Sequence, residues 1–535
     1  MDLMFNSNFK KMKIINITKT TILSIGLMAF VGCQESLDEI NINPNQPEQV
    51  PTSGLMNSAT KELMDATRND FESGRMTLPW VQYSAQVAYT EEDRFQFRET
   101  TNKSLWTDYY ASAVDYKSII DLNTNPTTRT ANEMYGNPDN QIAAARVMLA
   151  YTFLRLVDAY GDVPYWSYGN NDPDFQALQI EKYLKPKFAS QTKIYAVLMK
   201  ELKEAAAMVV TSESVVFTRG DKLFGSPAKL IKFANSLRLR IATRVKGVVP
   251  GAEAHITEAI ASGVMTSNAD NVGVKYQKDN INPSPFYRDF YISNRTDFAI
   301  SNTFVDLLKG NLGTFGLDPR LQKYAAPKTA SKTAVRDNKY TETDDLTQYV
   351  GMPYGITSAQ AAGQRTGTSF WSSSVLKQDY TEILMEYAEV EFLLSENNGW
   401  NDVNYRKGVT ASMERWGVAP AKITAYVATL APANQANVIT QKYIALFMQP
   451  YEAFAEYRRT GYPNTLLQPG GTYKLNNPEG AVTTYTFTAL NSLTAMPARF
   501  TYPVNLQQLN GTNVAAAAAA IGGDKLDTKL IWAKK

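Results

Sequence analysis

The chain has one cysteine, Cys33, and one histidine, His255. A single cysteine excludes an intrachain disulfide, so stability must come from packing. A single histidine excludes a multi-histidine zinc site, and any Ser–His or Cys–His dyad would have to use His255. The Gly470-Gly471 and Gly522-Gly523 pairs do not match a phosphate-binding loop. Excess charge is also missing. The net charge of +2 includes a leader with four lysines and Asp2, so the chain from Cys33 onward stands at −1. A near-neutral body carries no electrostatic footprint for nucleic acid. The sequence predicts no metal site and no cofactor.

Long apolar runs are scarce too. The longest apolar stretch of the leader, Ile22 to Val31, is too short to span a bilayer, which needs about 20 residues. It follows Lys10, Lys11, Lys13 and Lys19 and ends at Gly32-Cys33, the pattern of an export signal. Phe30-Val31-Gly32-Cys33 resembles a bacterial lipobox, with Phe30 where leucine is usual. That resemblance implies that Cys33 becomes a lipidated N-terminus. Two or three acyl chains give the stable anchoring that one chain does not. The organisation expected is residues 1–32 as signal peptide, 33–57 as anchor and tether, and 58–535 as one ligand-binding body. Asn43-Pro44-Asn45-Gln46-Pro47 and Val50-Pro51 give the tether its extended geometry.

What is plentiful is helical periodicity. Helices are predicted over Ala59 to Phe71, Ser104 to Leu122, Gln141 to Tyr160, Gln191 to Val210, Pro227 to Val245, Tyr380 to Ser395 and Thr440 to Arg458, the last broken at Pro450. Ala515 to Ala520 is also expected to be helical. Gln141 to Tyr160 carries two apolar stripes and so should lie between neighbours, as in a stacked array. Arg155 and Asp158, one turn apart, could pair. Lys229, Lys232, Arg238, Arg240 and Arg244 read as a solvated basic face. Strand signals are few; Thr483 to Thr488 is one. Two long stretches, Asn268 to Asn302 and Ala325 to Ser374, break the pattern with aromatics set among polar residues. Irregular excursions of that length are usually functional or disordered.

Several stretches together resemble the SusD/RagB family of nutrient-binding outer-membrane lipoproteins of Bacteroidetes. They are Cys33 with Asn43-Pro44-Asn45, the run Arg155 to Tyr165, the run Glu386 to Leu394, the run Tyr451 to Pro463, and Met496-Pro497-Ala498-Arg499-Phe500. The resemblance implies a mainly α fold of degenerate TPR-like helix pairs, with few short strands and long irregular loops that carry the ligand site. It also implies a non-catalytic surface protein, held outside the outer membrane by lipid, that captures a glycan or a peptide. Its implied partner is a SusC-like TonB-dependent transporter.

A sugar site needs aromatic faces flanked by amides, carboxylates or guanidinium groups. Three stretches supply them: Trp80, Tyr83 and Tyr89; Tyr287, Asp289, Tyr291, Asn294 and Arg295; and Trp371. The bland alternative is that these rings pack the loops onto the helices. Glu386 and Glu389 could suggest an anchored glycoside hydrolase. One turn apart on one helix, however, they sit side by side rather than flanking a bond, and ion pairing with arginine explains them better. A helical-repeat scaffold for a protein partner is a further alternative. His255 reads as an ordinary, partly exposed helix residue.

Overall fold

The computed structural model describes residues 50–69, 72–99, 103–476 and 483–534. The leader, Cys33 and the tether up to residue 49 lie outside the described residues. The body forms one compact unit from Thr52 onward.

The body begins with a stack of helices. α1 (Thr52–Thr67), α2 (Lys103–Thr124), α3 (Pro138–Tyr160), α4 (Gln191–Ala207), α5 (Pro227–Val245) and α6 (Ala252–Ala261) each pack on the next in sequence. The first helix starts at Thr52 rather than Ala59 and ends at Thr67. The local chemistry sets the ends. Asn137 caps α3 by accepting from Asp139 N at 3.0 Å, and Pro138 occupies the first turn, where its missing N–H costs nothing. Gly161, at φ +86°, stops the helix. All of α3 except Asp139 is buried, as its double stripe predicts. Ser226 and Pro227 start α5 in the same way.

A second group follows α7 (Asn302–Lys309). It contains α8 (Tyr387–Asn397), α9 (Asp402–Arg415), α10 (Pro420–Thr429), α11 (Gln435–Ala445) and α12 (Pro450–Thr460). α8 packs on α9 and α11 and also reaches α5, which joins the two groups. The expected break at Pro450 is real: Pro450 opens α12, and Gly461 closes it in the left-handed conformation. The Ala run lies in α13 (Leu506–Ala520).

The strands form three antiparallel ribbons: β1 (Ser84–Gln86) with β3 (Phe298–Ile300), β2 (Val272–Lys275) with β4 (Thr381–Met385), and β5 (Thr472–Lys474) with β6 (Thr484–Thr486). β4 corrects the helix expected from Tyr380: the chain is extended through Met385 and turns helical only at Tyr387. A short apolar run such as Ile383-Leu384-Met385 suits either state, and pairing with β2 decides it.

The basic face expected on α5 is corrected as well. Arg238, Arg240 and Arg244 are buried. Arg240 forks onto Glu389 at 2.7 and 2.5 Å, Arg244 bonds Asp158 and Glu452, and Arg238 bonds Glu258. Lys229 and Lys232 keep to the surface, both half-buried, and Lys232 pairs with Asp270 at 2.9 Å. Arg155 does not pair with Asp158. It takes Glu452 at 3.3 Å and the Tyr151 hydroxyl at 3.0 Å, while Asp158 accepts from Tyr195 Oη at 2.6 Å. These pairs lock α3, α5, α8 and α12 together at the centre. Removing one partner from such a cluster costs far more than an exposed pair would contribute.

Candidate functional site

The β1–β3 ribbon organises the second loop cluster. Its register sets Gln86 opposite Phe298, and Val87 N donates to Asp297 O at 2.7 Å. This brings Tyr89 beside the chain that follows Tyr291. Asp297 accepts from Arg75 at 2.9 Å and from Arg295 at 2.6 Å, and the Arg75 guanidinium lies 5.7 Å from the Tyr89 ring centre. Tyr89 is 58 % exposed.

Next to them the chain makes a tight wide-turn helix over Arg288–Ile292, then reverses at Asn294, whose φ is +54°. Asparagine tolerates that left-handed geometry better than most residues. Tyr287 and Tyr291, one turn apart, tilt together with ring centres 5.0 Å apart. Both are half-buried. Lys332 Nζ donates to Asn294 Oδ1 at 2.6 Å and sits 5.8 Å from the Tyr291 ring. Arg365 donates to Thr296 Oγ1 at 2.9 Å. Burial pushes the Tyr291 hydroxyl above its ordinary pKa, and among the described residues that hydroxyl has no hydrogen-bond partner. The segment 294–297 thus ties two groups together, Tyr287 and Tyr291 with Lys332 and Asn294, and Tyr89 with Arg75, Asp297 and Arg295. Such a surface can stack a sugar ring and hydrogen-bond its hydroxyl edge.

Three of the expected platforms do not face solvent. Trp371 is fully buried beneath this surface, stacked 6.2 Å from Phe298 and tilted against Phe286 at 5.3 Å. Trp80 packs between Phe454 and Phe500 and donates Nε1–H to Glu92 O at 3.2 Å. Tyr83 stacks 4.6 Å from Tyr443, and its hydroxyl donates to the Tyr443 carbonyl. All three rings were candidate platforms and are core instead, as the packing alternative has it, because the loops fold over them. Asp289 stands apart from the tyrosines. It lines a different cleft, of about 660 Å³, with Arg288, Lys61, Glu62, Asp65 and Asp108. Burial raises the Glu62 and Asp108 carboxyls there.

Arg75, Asp297, Lys332 and Arg365 were not among the expected residues. Arg75 and Asp297 pair across 222 positions of chain, so spacing gives no sign of them.

The carboxylate pair has no cleft. Glu386 and Glu389 are both buried: Glu389 is held by Arg240, and Glu386 by Arg415 at 3.3 Å and Gln449 at 2.7 Å. Burial pushes Glu386 up to about 7. His255 is half-buried on α6 and accepts from Arg238 Nε at 2.9 Å. Burial, and then the Arg238 charge, hold it below its usual pKa.

The aromatic, cation-rimmed loop surface thus sits on a mainly helical scaffold. The family profile described as "Starch-binding associating with outer membrane" matches residues 44–503, and the chain belongs to this SusD-like family. Its members are non-catalytic binding proteins. Among solved structures, a chitin-binding protein is 25 % identical with a TM-score of 0.69, covering 89 % of this chain and 99 % of its own. A SusD-like protein of Bacteroidetes (AC2a) is 23 % identical with a TM-score of 0.70, covering 91 % and 100 %. A chitin-binding SusD homologue from Flavobacterium johnsoniae is 21 % identical with a TM-score of 0.67, covering 89 % and 98 %. No curated protein matches the chain. Among the described residues, no helix is long and apolar enough to cross a membrane.

Proposed function

We propose that this protein is a lipid-anchored outer-membrane protein, facing the cell exterior, that binds a glycan at the Tyr89–Tyr287–Tyr291 surface. It passes the glycan to a SusC-like TonB-dependent transporter. The observation that carries the site is the convergence of three tyrosines with Arg75, Arg295, Lys332, Asn294 and Asp297 in one loop cluster. Rings supply apolar faces for sugar C–H groups, and the charged rim supplies donors and acceptors for hydroxyls. The leader ending at Cys33 supports the anchor. The chitin-binding relative makes β-linked N-acetylated oligosaccharides the first ligands to try, with starch oligosaccharides second.

Titration of the purified protein against both sets, using wild type, Tyr89→Ala and Tyr291→Ala, tests the site. Loss of one stacking ring should weaken binding about tenfold, a little over 1 kcal/mol. The melting temperature of Tyr89→Ala should not change, because that ring is exposed. Wild-type affinity in both variants would reject the site. Mass spectrometry of the membrane-extracted protein should find acyl chains on Cys33, and pull-down should recover a TonB-dependent barrel.

A further inference from the structure

A cleft of about 400 Å³ opens beside the β2–β4 ribbon and shares no residue with the tyrosine surface. Its lining includes Gly273, Lys377, Asp379, Tyr380, Arg415 and Trp416. Trp416 is 8 % exposed, set edge-on to Tyr324 at 4.8 Å, with the Arg415 guanidinium 4.6 Å from its ring centre. Trp416 Nε1 is buried and, among the described residues, has no acceptor; the same holds for Arg415 Nη1. Buried donors without acceptors are rare in folded proteins and call for an explanation. Two of them in the wall of one cleft point to an acceptor that comes from outside the chain.

The charges indicate which acceptor. Arg415 pairs with Glu386 at 3.3 Å and also faces the buried Glu382. At the rim, Lys275 and Lys377 share one carboxylate, Asp379, at 3.1 and 3.3 Å. Two rim lysines therefore share one carboxylate, which leaves one positive charge over. Neutral hydroxyls could fill the two donors but would leave that charge unanswered. An anion with paired oxygens answers both. We propose that this cleft is a second ligand site and takes a small molecule bearing a carboxylate, such as an acidic sugar residue or the free end of a short peptide. The carboxylate oxygens supply the missing acceptors, and Lys377 supplies the attraction at the rim. The site does not rest on the reading of the tyrosine surface.

The test uses the full protein labelled with ¹⁵N at its seven tryptophan indoles. The probes are D-glucuronate, D-glucose, and Gly-Gly-Ala with a free or an amidated C-terminus. Trp416→Phe identifies the Trp416 resonance. That resonance should shift saturably with glucuronate, or with the free tripeptide, and stay still with glucose and the amide. A response to only one of the two acids assigns the source of the carboxylate. Lys377→Ala should raise the half-saturating concentration about fivefold, and Lys377→Glu should abolish the response. If Trp416→Phe does not fold, the one indole that responds to acid in wild type and not in Lys377→Glu identifies the site. No acid-dependent shift at any indole, or equal shifts with glucose and glucuronate, would overturn the proposal.

Discussion

Glu452→Gln should be among the most damaging single changes in the body. Glu452 is fully buried and lies at the meeting point of Arg155, Arg240 and Arg244. Those three arginines are answered by Glu452, Glu389 and Asp158, so the cluster is neutral only with Glu452 ionised. The arginines hold its carboxyl far below the usual range despite the burial. An amide of the same shape keeps the packing but leaves one buried positive charge uncompensated. Breaking a buried pair in this way costs about 3–5 kcal/mol, against a total of about 5–15 kcal/mol for a native protein. With an unfolding entropy of about 2.1 cal/mol/K per residue over a body of this size, the melting temperature should fall by about 3–5 °C. Calorimetry of wild type, Glu452→Gln and the exposed-pair control Lys61→Ala measures it, since Lys61–Asp65 is a surface i,i+4 pair worth only a few tenths of a kcal/mol. The depressed carboxyl also fixes the pH trend. Its stabilising contribution is complete above the unfolded carboxylate pKa and is lost as pH falls through the folded value. The gap between wild type and Glu452→Gln should therefore close on acidification. A melting temperature within the error of the control, or a gap that widens in acid, would refute the cluster as a structural centre.

Other expectations follow from the same geometry. Asp93 is fully buried and pushed up to about 8 by that burial, although Gln86 N donates to it at 2.8 Å. Its proton is retained on folding between the unfolded and folded values, so its contribution falls as pH rises from about 4 to 8. Asp93→Asn should match wild type in thermal melts near pH 5 and exceed it near pH 9; equal curves at both pH values would reject the shift. Trp371→Ala should cost about 3–5 kcal/mol by emptying the core under the tyrosine surface, seen as a lower denaturant midpoint. Gly273→Ala would set a Cβ against the Glu382 carbonyl at the β2–β4 bulge, so it should destabilise while the β5–β6 ribbon keeps its amide protection in hydrogen exchange.

The helices were legible because amphipathic spacing and caps are local. Pro227 and Pro450 mark starts that the fold uses, and the double stripe of α3 foretold its burial on both sides, although Asn137-Pro138 starts that helix ahead of the expected Gln141. Where sequence reasoning failed, the deciding partner was distant. Arg240 and Arg244 look like surface residues until Glu389 and Glu452, 149 and 208 positions away, are brought to them. Ile383-Leu384-Met385 reads as helix until β2 pairs with it. The site divides along the same line. Tyr287, Tyr291, Asn294 and Arg295 share one short loop, so their clustering could be read from the sequence. Whether a loop ring points outward could not, because that depends on what the loop folds over. Trp371 and Tyr291 are similar residues in similar stretches, yet Phe286, Phe290 and Phe298 close over one and leave the other half open. Loop aromatics thus supply two things, a floor and a face. The floor holds the face in place: removing Trp371 should blunt ligand binding only as far as it loosens the loop, whereas removing Tyr89 should blunt binding without loosening anything.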